Sequence, residues 1–336
     1  MEFPVETPAL GAAREVAPGV LWLRLPAWTR PDHVNVYALD DGASWTLVDA
    51  GLDTPASRAA WAGLLAGPLG GRPVGRVIVT HHHPDHMGLA GWFQAEHGAE
   101  LWATRTAWLF ARMQRLDVQA RPRPEVLAFW RAAGMPAEAL AARAEARPFN
   151  FADFGAEMPL GFRRIAEGEE IVAGGRRWRT ALGSGHAPDH ATFWCEDLAL
   201  VGDQILPGIT PNLGVYAVEP EADTVGDWLE SCRRLAGIAG GQLALPGHGR
   251  AFRGLSGRLA ALEADARAGL DRILEALAGG PQTAAGCFPA LYGREIRDGE
   301  LVLALGEAVG HLNHLRAGGQ VAREPGPEGA WLWRRR

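Results

Sequence analysis

The sequence contains no lysine. All 33 of its basic residues are arginine, and with 43 glycines and abundant alanine this points to GC-rich coding rather than to chemistry. Cysteine is nearly absent as well. Cys195, Cys232 and Cys287 are odd in number, far apart and form no C-x-x-C pair, so they read as free thiols in a reducing compartment and not as a disulfide framework. No run of eighteen apolar residues occurs, which leaves nothing long enough to span a bilayer. Residues 1–11 hold proline and glutamate but no apolar h-region; no signal peptide is expected, and the expected location is the cytoplasm. A net charge of −6 and a pI near 6.0 exclude an overall positive field that would draw nucleic acid or an anionic membrane. There is no internal repeat and no low-complexity run. What remains is a 336-residue chain, 47% hydrophobic and 21% charged, with the composition of a globular protein and room for one large and one small domain.

What the sequence does have is the stretch Thr80-His81-His82-His83-Pro84-Asp85-His86-Met87-Gly88, directly after the apolar run Val77-Ile78-Val79. A strand ending in such a cluster delivers its side chains at a sheet edge. His81 and His83 are two apart and share a side on extended backbone, while His82 points away. Pro84 fixes one torsion of the turn, and a helix over 89–97 is expected to follow Gly88, with Asp85 and His86 in its first turn. A solvated loop is the bland alternative, but this run is internal and carries an aspartate at a fixed place. It reads as a metal-gripping turn.

Along the chain, residues 20–25, 33–39 and 44–48 have strand composition, with Asp40-Asp41-Gly42 as a hairpin turn. The third run ends in Asp49-Ala50-Gly51. A helix is expected over Pro55–Ala66, capped by Thr54 with Pro55 at its first position. Residues 75–80 form the strand that feeds the histidine turn. From residue 104 to about 146 the chain is Ala/Arg-rich, helical in period and broken by Pro122, Pro124 and Pro136, and an irregular aromatic stretch with Phe149, Phe151 and Phe154 follows, so that the whole segment runs over about 104–160. It is read as an insertion that either caps the site or simply packs. Strands resume near 165, 170–172, 176–181, 191–195, 198–201 and 243–245. Three further strand tips thus present His186, Asp203 and His248, each beside glycine. Leu255–Ala278 is a long amphipathic helix closed by Gly279-Gly280-Pro281, and helix 300–315 leads to a two-stranded wing ending at 331–333.

His81, His83, Asp85, His86, His186, Asp203 and His248 offer imidazole nitrogen and carboxylate oxygen, donors that suit zinc, iron or manganese. Seven are too many for one tetrahedral ion. They divide into His81, His83 and His186 for one site and Asp85, His86 and His248 for another, with Asp203 as the bridge. Two adjacent ions can share a hydroxide that attacks a carbonyl without any Ser or Cys nucleophile.

The order His81-x-His83-x-Asp85-His86, then His186, Asp203 and His248, resembles the metallo-β-lactamase superfamily over roughly residues 15–250. Asp49 before Gly51 matches that superfamily's early Asp-x-Gly turn. The resemblance implies an α/β fold, a four-layer αβ/βα sandwich with metals at one edge between two sheets, and within the superfamily it is nearest to dinuclear hydrolases such as glyoxalase II. Asp203 stands where the commonest zinc β-lactamases carry cysteine, which argues against antibiotic hydrolysis as the main activity. The tail, with His311-Leu312-x-x-Leu315-x-x-x-Gly319-x-Val321, is similar to the winged-helix tail of some lactamase-like hydrolases, certain of which cut single-stranded RNA. The expected domains are residues 1–254, catalytic with the helical insertion, and 255–336, helical and winged-helix-like.

Among the remaining residues, Asp49 and His190 are read as supports for the ligands, and His82 as a packing or supporting residue. His33, His97, His311 and His314 are read as structural or exposed. Gly202 and Gly247 permit close backbone approach. Pro211, Asn212, Leu213 and Tyr216 are candidates to line a pocket. The leading function is a metal-dependent hydrolase holding two divalent ions, zinc first, with iron or manganese using the same donors. In this reading a metal-bridging hydroxide attacks a thioester, ester or lactone, and Asp85 orients it and passes on its proton. A ribonuclease or phosphodiesterase is the alternative, with Arg112, Arg115, Arg121 and Arg123 as its basic groove. β-Lactam hydrolysis as a side activity and a non-hydrolytic iron protein stand behind it. The expected partner is a small-molecule substrate rather than a membrane or nucleic acid; a homodimer is left open.

Overall fold

The computed structural model describes residues 1–27 and 31–336. A seven-stranded sheet runs in sequence order through β1 (Ala13–Ala17), β2 (Val20–Pro26), β3 (His33–Asp40), β4 (Trp45–Val48), β5 (Val74–Ile78), β6 (Glu100–Ala103) and β7 (Arg163–Arg164). Its first four strands are antiparallel hairpins; β4 to β7 are parallel. A five-stranded sheet holds β8 (Glu170–Ala173), β9 (Arg176–Gly183), β10 (His190–Trp194), β11 (Leu198–Gly202) and β12 (Leu243–Pro246), with only β11 and β12 parallel.

The period-2 pattern of β3 explains the layering. Tyr37 and Leu39 face the second sheet, where they join Ile78, Trp178, Phe193, Leu200 and Leu245. Val34, Val36 and Ala38 face the opposite way, toward Trp61, Leu64, Phe93 and Ala107 on the outer helices. The outer face of the second sheet is covered by the helices Thr224–Ala236, Leu255–Ala278 and Leu301–Ala317. Four layers result, helices–sheet–sheet–helices, the αβ/βα sandwich.

Helix Pro55–Ala66 begins as the sequence dictates, with the Thr54 hydroxyl accepting from Ser57 N–H and proline at its start. Two differences from the sequence reading have clear causes. Residues 84–97 form not one helix but a single turn, Pro84–Met87, and then Ala90–His97. The break comes because Leu89 N–H turns away to Gly51 C=O. The strand feeding the turn stops at Ile78: Val79 N–H still donates to Trp102 C=O of β6, but Thr80 N–H turns to the Asp49 side chain. The sequence reading contains no helix at Thr224–Ala236, which Asp223 caps, and no strand at β1 or β6.

The 104–160 segment forms helices Arg105–Leu116, Pro124–Ala132 and Ala137–Glu145. It packs on both helical layers, Ala107, Ala111 and Phe151 on one and Phe129 and Ala133 on the other. After Leu301–Ala317 comes the hairpin β13 (Val321–Pro325) and β14 (Trp331–Arg335). Buried Val321 and Trp333 belong to the same apolar cluster as Val201, Trp228 and Leu305, so one continuous core spans residue 254. Among the described residues, no helix is long and apolar enough to cross a membrane.

Candidate metal centre

The tips of β4, β5, β11 and β12 and the β9–β10 turn meet at one edge of the sandwich. Two backbone hydrogen bonds join the sheets there: Ala191 N–H donates to Thr80 C=O at 2.8 Å, and Asn35 N–H to Gly247 C=O at 2.7 Å. The histidine turn is stitched to the β4 tip through Ala50 N–H and His86 C=O, 2.8 Å apart.

All seven candidate ligands converge at this edge. His81, His83 and His186 form one group, His81, His86 and Asp203 a second, and Asp85, His86 and His248 a third; within each, the donor atoms lie within 4.8 Å of one another. Asp203 Oδ2 sits 3.6 Å from His186 Nε2 on one side and 3.4 and 3.3 Å from His86 and His248 Nε2 on the other. Asp85 Oδ2 is 3.2 Å from His248 Nε2.

The outward-facing ring nitrogens decide which tautomers are present. His86 Nδ1 donates to Asp49 Oδ2 (2.7 Å), His186 Nδ1 to Asn212 C=O (3.0 Å) and His248 Nδ1 to His33 C=O (2.7 Å). A carboxylate or carbonyl can only accept, so each Nε2 turns to the shared space, the arrangement by which metal-binding imidazoles are held. His86 Nε2, His186 Nε2 and Asp203 Oδ1 are buried there without a hydrogen-bond partner. Buried polar atoms left unpaired cost free energy. Imidazole and carboxylate donors facing inward in this way fit divalent metal ions.

Charge follows the same geometry. Burial opposes a proton on His248, yet the Asp203 and Asp85 carboxylates push its pKa up to about 10. Burial likewise opposes His86, and Asp203, Asp85 and Asp49 raise it well above its ordinary value. The same attraction overrides burial to hold Asp203 well below the carboxylate range. A metal entering this field competes with protons, so uptake releases protons and weakens in acid.

Supporting residues surround the ligands. Asp49 is buried with a left-handed φ of 66°, and besides His86 it accepts from Thr80 N–H at 2.8 Å. His190 Nε2 accepts from Asp203 N–H at 3.1 Å, and burial pushes its pKa down to about 3, leaving a neutral ring. His82 turns away to pack on Phe110, 5.0 Å between ring centroids. Gly247 lies so close to the ligands that a Cβ there would stand 2.2 Å from Asp203 Oδ1.

Several functional contacts were not read from the sequence. His33, taken as merely structural or exposed, supplies the carbonyl that orients His248 and accepts Gly249 N–H on its Nε2. Asn35 and Tyr37 side chains both donate to Pro246 C=O, clamping the His248 loop. Leu213 is buried in the core, and the Asn212 carbonyl holds His186. The four arginines of the imagined basic groove are already engaged. Arg112 and Arg115 donate to the carbonyls of Met158 and Gly155, Arg121 pairs with Glu145, and Arg123 with Asp117.

A four-layer sandwich with this donor set at its sheet edge defines a class of metal-binding αβ/βα proteins. The chain belongs to the metallo-beta-lactamase superfamily, whose sequence profile matches residues 29–249; that of the metallo-beta-lactamase-like, C-terminal domain matches 270–336. It is similar to a beta-lactamase domain protein from Burkholderia ambifaria, with 34% identity, a TM-score of 0.91 and coverage of 100% of this chain and 98% of that one. A metallo-beta-lactamase family protein from Thermus thermophilus is 31% identical with a TM-score of 0.77, covering 96% of this chain and 100% of its own. The probable metallo-hydrolase YqjP of Bacillus subtilis is 28% identical over 310 residues, 89% of this chain and 92% of that protein.

Proposed function

We propose that this metallo-hydrolase acts on a carbonyl compound, a thioester, ester or lactone, with two divalent ions, zinc foremost, held by His81, His83 and His186 and by Asp85, His86 and His248, and Asp203 shared between them. Ions bound there supply acidified water and an electrophile for a carbonyl oxygen. The side chains do the rest. Asp203 reaches both groups through one oxygen. Asp85, with about a quarter of its side chain exposed, is the accessible acid of the cluster and the carboxylate that would take the proton of the attacking water. Burial keeps His82 and His190 neutral beside the ligand groups.

The observation that favours a carbonyl over a phosphate is the arginine arrangement. Among the described residues, no arginine pairs with any of the seven candidate ligands, and Arg112, Arg115, Arg121 and Arg123 of the insertion are engaged with carbonyl and carboxylate oxygens. A phosphodiester would call for cationic partners beside the ions.

The test is a panel of acyl-thioesters, lactones, nitrocefin and single-stranded RNA, assayed after loading with zinc, manganese or iron, with and without chelator. Turnover of thioesters or lactones that chelation abolishes is the expected result. RNA cleavage with carbonyl substrates untouched, or turnover that survives complete metal removal, overturns the reading.

A further inference from the structure

We propose that the C-terminal helix Leu301–Ala317 is a positioning element of the metal centre, acting on His186 through the segment 212–215. The inference rests on His186 acting as a metal ligand and not on which bond is hydrolysed.

His186 Nδ1 donates to a main-chain oxygen, that of Asn212. Where that oxygen sits depends on how its segment is docked. The segment lies directly on the helix. Val215 N–H donates to Gly306 C=O at 3.0 Å, a helix carbonyl reached because Gly306 has no side chain. A Cβ on Gly306 would stand 2.8 Å from Val215 O, and one on Gly310 would stand 2.6 Å from Leu213 O and 2.8 Å from Thr224 Oγ1. Gly306 and Gly310 are four apart and share one face of the helix, forming a flat seat for extended backbone. Thr224 Oγ1 donates to Leu213 C=O at 2.6 Å and pins the same segment.

Glu307, between the two glycines, completes the link. Its Oε2 accepts from Asn212 Nδ2 at 3.3 Å and from Tyr292 O–H at 3.0 Å. The side chain of the residue whose carbonyl orients His186 is therefore tied to the C-terminal segment. Beneath, Leu213 and Val215 are buried with Leu305 and Val309. The chain of contacts runs from helix to segment, to carbonyl, to imidazole, to the buried Nε2 that faces Asp203. Loss of such an outer hydrogen bond weakens metal binding about 10–100-fold.

The experiment is a Co²⁺ titration of the full-length metal-free protein, followed by visible absorption and by metal stoichiometry. Glu307→Ala and Gly310→Ala are expected to weaken Co²⁺ binding by about tenfold or more and to change the absorption bands. Glu307→Gln, which keeps an accepting oxygen for Asn212, is expected to retain wild-type binding. Leu315→Ala, buried at the far end of the same helix, controls for instability: it should lower the melting temperature and leave the Co²⁺ spectrum alone. Wild-type affinity and spectrum in both Glu307→Ala and Gly310→Ala would overturn the proposal. So would an equal loss of affinity in Leu315→Ala, since the effect would then be one of stability. A wild-type protein that takes up no Co²⁺ would instead remove the ligand assignment on which the proposal stands.

Discussion

Asp49 and His86 are 37 residues apart in sequence and 2.7 Å apart in space, joined by a hydrogen bond from the imidazole Nδ1 to the carboxylate. The aspartate holds this position in a left-handed backbone conformation that non-glycine residues rarely adopt. It also accepts from Thr80 N–H, so one buried carboxylate fixes both the start of the histidine turn and the ring of its last member.

Replacing Asp49 by alanine therefore has two separable effects. His86 loses the acceptor that holds its tautomer, and divalent-metal affinity should fall about 10–100-fold in a competition titration. Thr80 N–H is left buried and unpaired, which should lower unfolding free energy by about 1–3 kcal/mol in urea. Asp49→Asn keeps an accepting oxygen but not the charge, and should fall between the two. Unchanged metal affinity in Asp49→Ala would mean that the bond does not position His86.

The convergence of the histidine turn with the strand-tip residues His186, Asp203 and His248 was legible because their residue types are rare and chemically specific, and because strand tips end in glycine. Helices Pro55–Ala66 and Leu255–Ala278 were legible from their caps and stops. The helix Thr224–Ala236 was equally readable in principle: Val225, Trp228, Leu229, Cys232 and Leu235 recur at helical spacing behind the cap Asp223. What the sequence conceals are the supports made by backbone. The His33 and Asn212 carbonyls orient His248 and His186, and a carbonyl belongs to every residue, so no side-chain type marks them. Such partners lie 215 and 26 positions from their histidines and become visible only once the sheets are packed. The helix boundary at Gly88 was misplaced for a related reason, since a long-range bond from Leu89 to Gly51 overrides local propensity.

Gly247 tests how tightly the two sheets close on the ligands. A methyl group there would meet Asp203 Oδ1 at 2.2 Å and His86 Cε1 at 2.7 Å, so one of these side chains must move. Gly247→Ala should cost about 1–3 kcal/mol of stability through overpacking. Its metal content after loading should drop below that of the wild type, while far-UV circular dichroism is retained. Full metal content would show that the Asp203 and His86 side chains have room that the structure does not give them.

Asp223 connects the helix Thr224–Ala236 to the C-terminal helix and makes a pH-dependent contribution to the fold. Its carboxylate accepts from Gly226 N–H at 2.8 Å as the helix cap and faces His314 Nδ1 at 3.0 Å. Burial raises its pKa, but His314 and the Gly226 N–H outweigh burial and hold it below its ordinary value of 3.8. Because the pKa is depressed in the folded state, the stabilisation is present above the unfolded value of about 3.9 and is lost as pH falls through the folded one. Asp223→Ala should therefore cost about 1 kcal/mol at pH 7, the usual worth of a cap. In paired urea titrations of variant and wild type, the difference should shrink as the pH is taken below about 4. A difference that stays constant down to about pH 3 would assign the loss to packing and not to the charged cap.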